Sequence, residues 1–164
     1  MKSDVAKRIE SINNGIIPEG YKKTKVGIVP VEWEEMKLEE ISDYITKGAT
    51  PTTYGFNWLE EGIPFFRNDS IKNNTFIYGD FSYISEDANK MLNRSEVKMN
   101  DIVIAITGDI GKVGMIPDGI EKANINQHLA RIRIIKKSLP YFVYQFLAFL
   151  DEYLPQQLYI LLEF

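Results

Sequence analysis

Few groups in this chain could make or break a bond. His128 is the single histidine, and its neighbour is Gln127. Catalytic triads and zinc sites need a histidine plus a base, an orienting group or further ligands. A polar surface group or a ligand-facing group is therefore the better reading of His128 than a metal ligand. Gly108-Asp109-Ile110-Gly111-Lys112-Val113-Gly114 has the glycine density of a phosphate loop. It lacks the Gly-Lys-Ser/Thr ending, and its spacing is not the dinucleotide fingerprint. It also leads into an apolar strand-like run, so no helix N-terminus is offered to a phosphate. A tight turn joining two buried strands accounts for those glycines. Pro117-Asp118 followed by Glu121-Lys122 faintly echoes a metal-dependent nuclease, which gathers carboxylates and a lysine on one metal. The segment is short and turn-like, and that reading is rejected. No Pro-Pro pair exists to build the Asn/Asp-Pro-Pro-aromatic motif of an adenine methyltransferase.

The elements that would position any polar group are mostly short strands. Asp4 to Ile12 predicts a helix, capped by Asp4 with Val5, Ile9 and Ile12 on one face. Gly15, Pro18, Gly20, Gly27 and Pro30 predict an ordered but irregular linker over 15–32. Trp33, Met36, Leu38 and Ile41 suggest a strand followed by a short helix, and Lys47 to Tyr54 a polar loop. Strands are expected from Ile63, over 75–78 and over 81–84. Ser85 should cap a helix running to about Leu92. The run Ile102-Val103-Ile104-Ala105-Ile106 is the clearest buried strand, and 113–116 should return from the glycine turn. Ile132 and Ile134 alternate with Arg131 and Arg133, which predicts a half-buried strand with the arginines toward solvent. Residues 139–154 carry helical spacing and Pro155 ends it. The fold class is α+β, a mostly antiparallel twisted sheet with short flanking helices and a C-terminal helix. Trp33, Trp58, Phe65 and Phe66 read as core.

Composition narrows the partners. Hydrophobic residues make up 45% of 164, enough apolar mass for one real core. There are no cysteines, so disulfides and thiolate metal sites are excluded and a cytoplasmic setting is the simple reading. No apolar run spans a bilayer, so no membrane partner is expected. The net charge of −4 counts against a general DNA-coating protein, because phosphates demand Lys and Arg. Cations nevertheless gather: Lys122, Arg131, Arg133, Lys136 and Lys137 lie in a stretch free of acids after Glu121.

Three segments, in order along the chain, carry a family likeness. Residues 20–33 carry Gly-Tyr-Lys-Lys-Thr-Lys-Val-Gly-Ile-Val-Pro-Val-Glu-Trp. Residues 48–71 carry Gly48-Ala49-Thr50-Pro51, Trp58 and Gly62-Ile63-Pro64-Phe65-Phe66-Arg67-Asn68-Asp69-Ser70-Ile71. Residues 100–135 carry the apolar strand, the glycine turn and Ala123-Asn124-Ile125-Asn126-Gln127-His128. Together the three resemble the target recognition domain of Type I restriction-modification specificity subunits (HsdS). The expected organisation is a helix or linker over 1–19, the recognition domain over 20–154 and a truncated tail over 155–164.

The resemblance implies sequence-specific binding of double-stranded DNA at one half of a split target. It implies no catalysis and no cofactor in this chain. Methylation and cleavage would belong to a modification (methyltransferase) subunit and a restriction subunit. Homodimerisation, or pairing with another recognition half, is the further partner expectation. Base edges are read by Arg, Lys, Asn and Gln, and more loosely by hydroxyls. The candidate DNA contacts are Lys47, Thr50, Thr52 and Tyr54 in one loop. Arg67, Asn68 and Ser70 follow the aromatic strand. Thr107, Lys112, Asn124, Asn126, Gln127, His128 and Arg131 surround the glycine turn and its return. The competing reading is a non-reading interaction or decoy protein that dimerises or binds a methyltransferase subunit. The apolar stretch 139–162 motivates it.

Overall fold

The computed structural model describes residues 2–25, 27–77, 79, 81–135 and 140–153. The expected tail over 155–164 lies outside the described residues. The chain forms two compact units, one through Glu40 and one from Ile41 onward.

In the first unit a helix forms as the spacing predicts, but α1 (Lys2–Asn13) begins before Asp4, which therefore lies in its first turn and does not cap it. The glycines and prolines after it do not make an irregular linker. They frame an antiparallel hairpin of β1 (Tyr21–Thr24) and β2 (Gly27–Pro30), with Tyr21 opposite Pro30. Pro30 is tolerated because it ends an edge strand, where a missing N–H breaks no interior ladder. The ladder is extended past it by Val31 N–H donating to the Gly20 carbonyl at 3.0 Å. Residues 31–37 form no strand, and Trp33 is exposed rather than core. Helix α2 (Leu38–Ile41) is a single turn.

The second unit holds two four-stranded sheets. In chain order the strands are β3 (Thr46–Lys47), β4 (Ile63–Phe66), β5 (Ile71–Lys72), β6 (Thr75–Phe76), β7 (Ser82–Ile84), β8 (Glu96–Val97), β9 (Ile102–Ala105), β10 (Val113–Met115), β11 (Ala123–Ile125) and β12 (Leu129–Ile132). One sheet has the order β10-β9-β12-β3 and is antiparallel throughout. The other has the order β7-β4-β11-β8, with a single parallel pair, β4 and β11. Strands β5 and β6 make a separate hairpin.

Side chains on a strand alternate between faces, and β4 uses both. Phe66 joins Val103, Ala105, Ile125 and Leu129 in a core fed by both sheets. Phe76 and Phe81 meet its ring edge-on at 4.8 and 5.1 Å. Phe65 points the other way, into a cluster with Ile63, Ile84 and Ala88. Ala88 belongs to α3 (Glu86–Met91), which starts where expected: the Ser85 hydroxyl accepts from Ala88 N–H at 3.1 Å. Trp58, expected in the core, packs edge-on against Phe65 at 5.0 Å yet stays 37% exposed. Helix α4 (Pro140–Tyr153) buries Val143, Leu147 and Leu150 and packs against β10.

Strand β12 departs from its alternating pattern. Leu129, Ala130, Arg131 and Ile132 are all buried, Arg131 to 1% exposure. The face expected to be wet is covered by the backbone around Glu96 and by Tyr44. Arg131 Nη1 donates to the Glu96 carbonyl at 2.9 Å, and its guanidinium stacks 4.8 Å from the Tyr44 ring centre.

Strand β11 belongs to one sheet and β12 to the other, so residues 126–128 cross between them. Gly48 fits against this crossover with no room for a side chain. A Cβ there would lie 2.0 Å from the Ile125 carbonyl oxygen and 2.4 Å from that of Asn126. Both obstacles are backbone, so relief requires shifting a strand. Gly48→Ala should therefore lower stability by about 3 kcal/mol or more, read as a fall in the urea midpoint. An unchanged midpoint would remove Gly48 from this role.

Candidate nucleic-acid interface

Strand register brings four loops to one rim. Parallel β4 and β11 place Phe66 beside Ile125, so both strands end together. Antiparallel pairing puts Leu129, which opens β12, beside Ala105 at the end of β9. The other neighbour of β12 is β3, with Ala130 beside Lys47. Loops 48–51, 67–68, 106–107 and 126–128 therefore share one edge. Backbone bonds lock them: Asn126 N–H to the Phe66 carbonyl at 3.0 Å, Ile106 N–H to the His128 carbonyl at 2.9 Å, and Gly48 N–H to the Leu129 carbonyl at 3.0 Å.

A chain of polar side chains runs along that rim. The Thr50 hydroxyl donates to Gln127 Oε1. Gln127 Nε2 lies 3.0 Å from His128 Nε2, and His128 Nδ1 faces the Thr107 hydroxyl. The Thr107 carbonyl accepts from Asn68 Nδ2 at 2.7 Å. With Gln127 donating to Nε2, neutral His128 carries its proton on Nδ1 and donates it to Thr107. Asn126 supports the turn, its Oδ1 accepting the His128 N–H at 3.1 Å. Thr107 and Gln127 are exposed, His128, Thr50 and Asn68 half-buried. The structure thus unites five of the expected positions, drawn from four separate loops.

Other expected contacts are turned inward. Asn124 is 0% exposed and satisfied at every polar atom. Its Nδ2 donates to Asn89 Oδ1 and the Leu92 carbonyl, and its Oδ1 accepts from Ser95 Oγ and Ile125 N–H, all at 2.8–3.1 Å. Arg131 is spent on Glu96 and Tyr44. Ser70 is buried and accepts the Arg67 N–H at 3.1 Å. These three side chains hold the domain together and offer nothing outward. Arg67 is exposed, stacked 5.0 Å from the centre of Trp58 and bonded to Ser82 Oγ at 2.6 Å. Lys47, Thr52 and Tyr54 are exposed, and Lys112 is half-buried.

The opposite ends of β4 and β11 have a different character. A groove there is lined by Glu61, Glu86 and Glu121, with Lys122 paired to Glu86 at 2.6 Å. Among the described residues no group of His, Asp and Glu is placed to hold a metal ion. No helix of the described residues is long and apolar enough to cross a membrane.

Arg133 and Asp101 were missed as functional parts of the frame. Arg133 Nε and Nη2 each sit 2.7 Å from an Asp101 oxygen, a two-pronged bond beneath the sheet. That hydrogen bond holds the Arg133 proton even more tightly than usual. The sequence signal was the arginine alternation itself, which period alone cannot assign to a wet or a covered face.

A two-sheet α+β domain that gathers polar loops on one rim is a scaffold for recognition. The chain belongs to the family described as the Type I restriction modification DNA specificity domain, whose model matches residues 30–158. It is 28% identical over 109 residues to the Type I restriction enzyme EcoBI specificity subunit of Escherichia coli, covering 64% of this chain and 22% of that protein. It is 28% identical over 142 residues to the Type I restriction enzyme MjaVIII specificity subunit of Methanocaldococcus jannaschii, covering 84% of this chain and 32% of that protein. The crystal structure of the HsdS subunit from Thermoanaerobacter tengcongensis superposes with a TM-score of 0.59 at 18% identity. That match covers 92% of this chain and 35% of the other, and it shows the shared α+β fold. The chain spans about a third or less of these relatives.

Frame and rim should separate in mutants. Asn124→Ala strands several buried donors and acceptors, so it should cost about 3 kcal/mol or more. Thr50→Ala should stay within about 0.5 kcal/mol of the parent, as surface changes usually do. Urea unfolding of both variants checks this, and equal losses would refute the division.

Proposed function

We propose that this chain reads a specific sequence of double-stranded DNA as the recognition part of a Type I specificity subunit. The rim of Thr50, Asn68, Thr107, Gln127 and His128, in a chain of this family, carries the reading. Base edges are read by such amides and hydroxyls, while cations fix the register on phosphates. Lys47, Arg67 and Lys112 serve that second role. The acidic groove at the far ends of β4 and β11 would repel a phosphate backbone and so faces away from DNA. Catalysis and its cofactors belong to partner subunits, a methyltransferase and a restriction nuclease, acting in the cytoplasm. The recognition domain corresponds to residues 20–154.

A protein-binding role is supported by a separate observation. Helix α4 exposes Tyr141, Phe142, Phe146 and Phe149. Exposed aromatic ridges of this kind suit a protein partner, such as the methyltransferase subunit, a second recognition half or a second copy of this chain.

The test is selection of duplexes from a randomised pool by the purified chain. A single consensus should emerge, bound more tightly than scrambled duplex. Three phosphate-bound cations give a salt slope of about −2.7, or a roughly fortyfold loss of affinity between about 50 and 200 mM salt. Equal affinity for all duplexes would refute sequence reading.

A further inference from the structure

Resting on that reading, we propose that Gln127 is the base-reading residue of this domain and that it selects adenine in the major groove. The rim holds several amides, and the structure distinguishes them. Asn124 is buried with all its bonds made. Asn126 is 9% exposed and spends its oxygen on the His128 N–H. Asn68 gives its nitrogen to the Thr107 carbonyl, and its Oδ1 is buried without a partner among the described residues. Gln127 is the exposed one.

Its two ends are held but not exhausted. A primary amide has two acceptor lone pairs and two N–H donors. Thr50 takes one lone pair of Oε1, and His128 takes one N–H of Nε2. One acceptor lone pair and one N–H donor remain on the planar amide. Adenine shows the complementary pair in the major groove, an N6 donor beside the N7 acceptor. Guanine presents two acceptors there, so Oε1 would face an oxygen. Cytosine offers only a donor, and thymine only an acceptor beside its methyl. Thr50 and His128 act through Gln127 as positioning residues, and Thr107 orients the His128 ring. A flexible side chain fixed in advance loses less freedom on binding, which raises affinity without a new contact. The loop beneath it is equally fixed, by Gly48 against the Ile125 and Asn126 carbonyls.

The experiment begins with the consensus selected by the wild-type chain. One position of it should require adenine. Replacing that adenine with 7-deazaadenine, which keeps pairing but lacks N7, should weaken wild-type binding about tenfold. The same replacement should change nothing for Gln127→Ala, whose selected pool should accept all bases at that position alone. Gln127→Glu, an acceptor without a donor, should shift the preference there toward cytosine. Thr50→Ala should relax the adenine preference and Thr50→Ser restore it, a rescue that a merely structural role would not show. A Gln127→Ala chain that selects the wild-type consensus unchanged overturns the proposal alone. So does relaxation at a position other than adenine. A wild-type chain that selects no sequence overturns the DNA-reading function, and the proposal with it.

Discussion

The interior of this domain depends on one fully satisfied amide. Asn124 sits in β11 between strands β4 and β8, and each of its hydrogen-bonding atoms is used. Through Asn89 the network reaches the Glu96 carboxylate, since Asn89 Nδ2 donates to Oε2 at 2.5 Å. The carbonyl of the same Glu96 accepts from Arg131 at 2.9 Å and from Arg133 at 3.2 Å. Arg133 passes on to Asp101. A polar line thus runs from one sheet, through α3 and the Glu96 strand, into the other. Buried polar groups cost several kcal/mol when unpaired and little when paired. A line with so many joined members therefore tolerates one arrangement of the two sheets and penalises its neighbours.

That arrangement is what makes the rim. Residues 126–128 are the shortest route from β11 to β12, so whatever fixes the two strands fixes Gln127 and His128. The Gly48 approach clamps the same residues from the side. Under the proposed function, recognition rests on loops anchored to the sheets, which lets rim side chains change while the frame stays constant.

Some of this was legible in the sequence. The apolar strand at Ile102, the glycine turn after it and the Ser85 cap are local signals, and they folded as their chemistry requires. The β1–β2 hairpin was not, because its glycines and prolines look the same in a hairpin and in an ordered irregular linker. Arg131 and Arg133 were misread for a related reason. Alternation reports two faces of a strand but not what covers them, and here Tyr44 and the Glu96 backbone arrive from distant positions. The rim was half legible. Residue type and position in the polar loops beside the resemblance segments picked out Thr50, Asn68, Thr107, Gln127 and His128. The same criteria picked out Asn124 and Arg131, because an amide or guanidinium that braces a fold has the composition of one that reads a base. Only tertiary register separates them.

The charge of the chain acquires a consequence from this separation. Its net charge is −4, and the two arginines of β12 and its extension are committed to Glu96 and Asp101 inside the domain. They neutralise interior acceptors rather than phosphates. If Lys47, Arg67 and Lys112 are the cations that meet phosphate, the backbone, where most non-specific binding originates, supplies a modest share of the affinity. Under the proposed function the discriminating contacts then carry a larger share of the binding. Additional affinity would then come from protein partners docked beside the domain, and under that reading the exposed aromatic side chains of α4 would suit such a contact.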